Sequence, residues 1–177
     1  VDLAIHEAQF ALQYLEKHAL LTDEDPTHEN GATTICGVRH SPYGVVLIAS
    51  PWNYPVMLSL VPLVGALACG NVALIRSGGF CKYTSNALLT FIRQVFDPSV
   101  VQIIKGSRYV TQKLLQQRFD FIFFTGGPNL GQIYHQAAAK FFTPTVLELG
   151  GSCPCFILDD LSQKDLQVAA QRFTWAA

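Results

Sequence analysis

At 177 residues the chain has room for one domain. Its 12 Lys and Arg against 13 Asp and Glu leave a formal charge of −1, and half of its residues are hydrophobic while 14% are charged. That balance excludes a disordered chain and argues against nucleic acid or an anionic membrane as partner. Charged residues make up about 25% of an ordinary globular domain, so the deficit points to apolar surface covered by a further part of the protein or by a second copy.

In chain order, an amphipathic run over Ile5–Leu21 predicts a surface helix without the basic start or cleavage site of a secretory leader. Thr22–Gly31 has the composition of a loop, and Thr33–Arg39 that of a short extended segment. The run Gly44–Ile48 then predicts a buried strand and Pro55–Ala68 a helix. The overlapping apolar stretch Val56–Cys69 is too short to cross a bilayer and contains Pro62 and Gly65. Val72–Ile75 predicts a strand, Tyr83–Phe96 a helix, Val100–Ile104 a strand, Thr111–Gln117 a short helix and Phe119–Phe124 a strand. Asn129–Lys140 follows as a helix, Thr145–Leu149 and Cys155–Leu158 as extended segments, and Gln163–Trp175 as a last helix. Short apolar strands alternating with helices are the pattern of a doubly wound α/β domain, a mostly parallel sheet covered on both faces. Ligands of such sheets bind beyond the carboxyl ends of the strands.

Chemistry-bearing residues stand where strands end. Gly126-Gly127-Pro128-Asn129-Leu130-Gly131 lies between a strand and a helix, where free amides can hold a phosphate. It has neither the Lys-Ser/Thr of a P-loop nor the spacing of a dinucleotide fingerprint, and it reads equally as a tight turn with Pro128 opening the helix. Pro51-Trp52-Asn53-Tyr54-Pro55 sets a carboxamide in a stiff loop, either to donate to an oxyanion or to cap the following helix. Glu148 is the one carboxylate in the apolar segment Val146–Gly151. If buried it would have a raised pKa suited to general base work; the alternative is a carboxylate turned outward or bonded to backbone at the strand end.

The five cysteines (Cys36, Cys69, Cys81, Cys153 and Cys155) are odd in number and scattered, which suits packing in a reducing compartment such as the cytoplasm. Cys153-Pro154-Cys155 lacks a second pair or a nearby histidine, so no metal site is expected. The histidines His6, His18, His28, His40 and His135 are dispersed. Arg172 reads as surface and Trp175 as core.

Five segments in order and spacing, Gly44–Ile48, Trp52–Pro55, Ala66–Asn71, Phe124–Gly127 and Leu147–Gly151, together resemble the aldehyde dehydrogenase superfamily. The Trp-Asn-Tyr-Pro form and the Gly-Gly-x-x-Pro-Cys continuation look most like its class 3, fatty-aldehyde type. The resemblance implies an aldehyde substrate oxidised with NAD or NADP through a cysteine thioester. By it, Asn53 matches the oxyanion donor and Glu148 the base that activates the deacylating water. It places Ala49, Ser50, Pro51 and Trp52 on the nicotinamide side. Gly126, Gly127 and Gly131 match the cofactor loop, with Leu149 and Gly150 beside it.

The resemblance further implies a lead-in over residues 1–43 and an incomplete, Rossmann-like NAD(P)-binding domain over 44–177, with the catalytic domain and nucleophilic cysteine outside the chain and the parent a homo-oligomer. On that reading the chain alone is inactive. A membrane tether is not indicated within it.

Three positions depart from the family pattern. Arg76-Ser77-Gly78-Gly79 stands where Lys-Pro-Ser-Glu is usual, Gly127 and Pro128 replace hydroxyl residues, and Ser152 replaces a lysine. Loss of the acid at Gly79 and the cation of Arg76 favour a 2′-phosphate, hence NADP at least as readily as NAD, unless Arg76 only secures its strand end. Two other readings stay open: a non-catalytic homologue kept as a binding or structural module, and an acylating or phosphate-linked reductase of the same superfamily.

Overall fold

Runs of β-branched and aromatic residues bounded by Gly, Pro and Asn become the strands of one parallel sheet, and the amphipathic segments between them become its covering helices. The computed structural model describes residues 1–18, 25–29, 32–36 and 40–176. Along the chain these form α1 (Asp2–His18), β1 (Asp25–Glu29), β2 (Ala32–Cys36), β3 (Val45–Ala49), α2 (Met57–Ala68), β4 (Val72–Ser77) and α3 (Lys82–Val95). They continue as β5 (Val101–Lys105), α4 (Arg108–Leu114), β6 (Phe121–Gly126), α5 (Pro128–Ala139), β7 (Thr145–Leu149) and α6 (Gln163–Ala176).

The main sheet has the order β5-β4-β3-β6-β7, with every neighbouring pair parallel. Strand side chains alternate between two cores. On one face Val46, Ile48, Ala73, Ile75, Val101 and Ile103 pack with Leu63 and Ala66 of α2 and Leu88 and Ile92 of α3. On the other, Leu47, Ala49, Ile122 and Phe124 pack with Leu115 just beyond α4 and with Tyr134, Ala137 and Ala138 of α5. The domain is thus α/β and doubly wound, as the sequence predicts. Each fully buried Leu47, Ile48 or Ile75 contributes on the order of 1.5–3 kcal/mol by leaving water.

Several sequence expectations are corrected. Within the segment read as loop, Asp25–Glu29 is a strand, paired antiparallel with β2 in a separate two-stranded ribbon. The rest of that segment lies outside the described residues, as do the expected helical end at Leu21 and extended end at Arg39. Helix α4 starts three residues earlier than its apolar pattern suggests. Cys155–Leu158 forms no strand, and every residue from Gly151 to Asp160 is exposed. Trp175, read as core, is 90% exposed on α6, a helix with no buried residue. Cys153 and Cys155, read as packing residues, are exposed as well.

Candidate functional site

Strand order reverses between β3 and β6. From β3 the chain runs through α2 to β4 on one side, whereas β6 and β7 lie on the other, which makes this the switch point beyond whose carboxyl ends ligands of such sheets bind. Ala49 and Phe124 are partners in register across it, Ala49 pairs with Arg76 on the other flank, and Thr125 and Gly126 pair with Glu148 and Leu149. The sheet therefore gathers four sequence-predicted groups at one edge: Ala49–Asn53, Arg76, Gly126–Gly131 and Glu148–Gly150.

Asn53 is exposed, and its carboxamide has no hydrogen-bond partner among the described residues. It does not cap α2. The cap position is Val56 with no side-chain bond, and the first turn is secured by the Tyr54 and Val56 carbonyls, which accept from Leu58 and Leu60. Trp52 and Tyr54 are also exposed. Tyr54 sits at φ 47°, a left-handed conformation that costs a non-glycine residue on the order of 1 kcal/mol or more. Behind the loop, Ala49 and Ser50 are buried.

Gly127 takes the cap position of α5 with extended backbone, and Pro128 opens the helix. A Cβ on Gly126 would stand 2.7 Å from Phe124 Cζ, and one on Gly131 2.7 Å from Leu149 Cδ2 and 3.3 Å from the Phe124 ring. The Phe124 ring thus sets these two positions by packing. At Gly127 no atom lies within 4 Å of that point, so this backbone is open to an approaching group.

Arg76 is held at the strand end: Nε donates to Thr111 Oγ1 at 3.1 Å, and a terminal nitrogen lies 3.5 Å from the Gly106 carbonyl oxygen. Close by on α5, burial pushes the Tyr134 phenol above the usual tyrosine range, and the Arg76 charge partly offsets this.

Glu148 departs from the buried reading. It is exposed, because β7 is the sheet's edge strand and no described helix covers that face of it. A Cβ on Gly150 or Gly151 would meet no atom within 4 Å, so nothing described crowds this turn. Among the described residues no cluster of His, Cys, Asp and Glu suits a metal, and no helix is long and apolar enough to cross a membrane.

The sequence profile of the aldehyde dehydrogenase family matches residues 1–177. The chain belongs to that family. It is 40% identical over 176 residues to aldehyde dehydrogenase family 3 member B1 of Homo sapiens, covering 98% of this chain and 37% of the relative. With family 3 member A2 of Rattus norvegicus it shares 45% identity over 138 residues, or 78% of this chain and 28% of that one. The chain therefore spans between about a quarter and little more than a third of the curated relatives it matches. Among solved structures, the substrate-bound AldH of Staphylococcus aureus superposes with a TM-score of 0.80 at 34% identity, covering 85% of this chain and 33% of that one. A Mycobacterium tuberculosis aldehyde dehydrogenase complexed with NAD+ superposes with a TM-score of 0.69 at 25% identity, covering 89% and 33%.

Sequence reasoning missed the buried hydroxyls beneath these loops, Ser59, Ser77 and Ser85, which are 0%, 0% and 2% exposed. A serine inside the apolar run Met57–Ala68 was the available signal for the first.

Proposed function

We propose that residues 44–177, behind the lead-in 1–43, form the dinucleotide-binding part of an enzyme that oxidises an aldehyde to a carboxylic acid with NAD or NADP. The observation that carries this reading is the reversal of strand order between β3 and β6, which brings Ser50–Asn53 and Gly126–Gly131 to the carboxyl ends of adjacent strands, where such sheets bind their ligands.

The residues present fit a nicotinamide dinucleotide. Gly127 leaves backbone open, the Asn53 carboxamide is unengaged, and the buried Thr125 hydroxyl at the end of β6 has no partner among the described residues. Ala49, Ser50, Pro51 and Trp52 would border the nicotinamide side, Gly126, Gly127 and Gly131 the phosphates, Leu149 and Gly150 the far wall, and Arg76 a 2′-phosphate. When bound, the group supplies the acceptor for the hydride leaving the aldehyde carbon.

A cysteine thiolate outside these 177 residues attacks the aldehyde carbon, and the Asn53 amide donates to the oxygen that gains the charge. Exposed Glu148 takes a proton from the water that then attacks the thioester, releasing the acid and the thiolate. On this account the chain alone turns over no aldehyde, the full-length protein is a homo-oligomer, and the free Cys69, Cys81, Cys153 and Cys155 suit the cytoplasm.

The test is the Asn53→Ala variant of the full-length protein, assayed for reduced nicotinamide with a panel of aldehydes. Loss of the oxyanion donor lowers kcat by about 10²–10³-fold; an unchanged kcat overturns the assignment. A non-catalytic module is the second reading, favoured by the packing account of Gly126 and Gly131. Absence of binding to either dinucleotide in a titration selects it.

A further inference from the structure

The loops after β3 and β4 are built against each other from the backbone outward. The Ser50 amide donates to the Arg76 carbonyl at 3.0 Å. Fully buried Ser59 of α2 donates to the Pro55 carbonyl at 2.7 Å and lies 2.9 Å from the Ser50 hydroxyl. Opposite, the Ser77 and Ser85 hydroxyls are 2.7 Å apart, and Ser85 donates to the Gly78 carbonyl at 3.0 Å. Each loop is thereby secured to the helix that follows it.

One peptide group joins the two loops. A Cβ on Gly78 would stand 2.6 Å from the Pro51 carbonyl oxygen, 2.8 Å from its carbon and 3.1 Å from the Trp52 nitrogen. The Cys81 thiol donates to the Trp52 carbonyl at 2.9 Å. The Pro51–Trp52 peptide rests on bare glycine backbone, and the next carbonyl is tied to the start of α3. Asn53 is the following residue.

We propose that Gly78 and Cys81 are positioning residues that hold the Pro51–Trp52 peptide and thereby set the placement of Asn53. The inference rests on the oxyanion role proposed above. Gly78 accepts no side chain without displacing backbone atoms, which cannot swing aside as the end of a side chain can. Cys81 contributes a weaker S–H donor that a serine hydroxyl can replace.

The experiment uses the full-length protein with Gly78→Ala, Cys81→Ala and Cys81→Ser. Gly65→Ala, at an exposed helix position with no atom within 4 Å of the new methyl, serves as control. Readouts are kcat and KM, and hydrogen exchange of the peptide spanning residues 50–56. Gly78→Ala is expected to lower kcat by up to about 10²-fold, the cost of misplacing a reacting group by about 1 Å. Cys81→Ala lowers it less, Cys81→Ser restores it, and exchange of the loop rises in the two impaired variants only. In an Asn53→Ala background the Gly78→Ala loss in kcat disappears, which a general loss of stability would not produce.

Unchanged exchange in both Gly78→Ala and Cys81→Ala overturns the proposal, as does a loosened loop with kcat intact while Asn53→Ala is impaired. If Asn53→Ala is itself fully active, the oxyanion role fails, and with it the placement of Asn53 as the purpose of the contact. Exchange then reports separately that the peptide is held. Should Gly78→Ala fail to fold, the Cys81 pair carries the same comparison.

Discussion

The ring of Tyr134 lies against that of Phe124 with centroids 4.6 Å apart, and its hydroxyl is buried with no hydrogen-bond partner among the described residues. The contact fixes α5 on the sheet directly behind the glycine loop. An unsatisfied buried hydroxyl costs free energy that the ring contact does not recover. Tyr134→Phe keeps the ring and removes the hydroxyl, so it should raise stability by on the order of 1 kcal/mol, read as a higher thermal unfolding midpoint. A lower midpoint would show that the hydroxyl is engaged.

The same phenol gives a pH dependence. Burial raises its pKa in the folded state, so above the ordinary tyrosine pKa of about 10 the unfolded chain loses the proton first. The folded state then binds more protons than the unfolded state, and stability falls as pH rises through that range. Unfolding midpoints from pH 8 to 11 should decline more steeply in the wild type than in Tyr134→Phe. Parallel declines would contradict this.

Entry into β3 depends on Gly44, which has φ 125° and an amide donating to Asn71 Oδ1 at 3.0 Å. A Cβ there would collide with the carboxylate of Asp120, which itself accepts from the Val45 amide at 2.9 Å. Gly44→Ala therefore meets both backbone strain and a clash, and should cost on the order of 2–4 kcal/mol. Thermal or denaturant unfolding checks it, with a loss under about 0.5 kcal/mol counting against the account.

These cases show what the sequence carries and what it does not. The run Val45–Ala49 declares β3 because a central parallel strand is apolar on both faces. Asp25–Glu29, with two acids and a proline, has no such pattern, and its pairing comes from β2 alone. The candidate site was legible because its residues follow strands. The exposure of Glu148 was not, because apolar neighbours in sequence do not reveal that β7 is an edge. Nor were the contacts of Gly78 and Ser85, which depend on how two loops meet in space.

In the proposed function Arg76 governs the choice of nicotinamide. Its bonds to Thr111 and Gly106 secure it at the strand end, and in the proposed complex it also takes a 2′-phosphate. Arg76→Ala should lower kcat/KM for NADP about 10- to 100-fold, the worth of a charge-assisted contact, with a much smaller loss for NAD. Equal losses with both dinucleotides would limit Arg76 to holding the end of β4.

The central claim, thioester-forming aldehyde oxidation with Glu148 as the deacylating base, is tested most directly by rapid-mixing kinetics of the Glu148→Gln full-length protein. A burst of reduced nicotinamide near one equivalent per active site is expected, followed by turnover slowed about 10²–10⁴-fold. A steady-state rate equal to the wild type, with no burst, would contradict it.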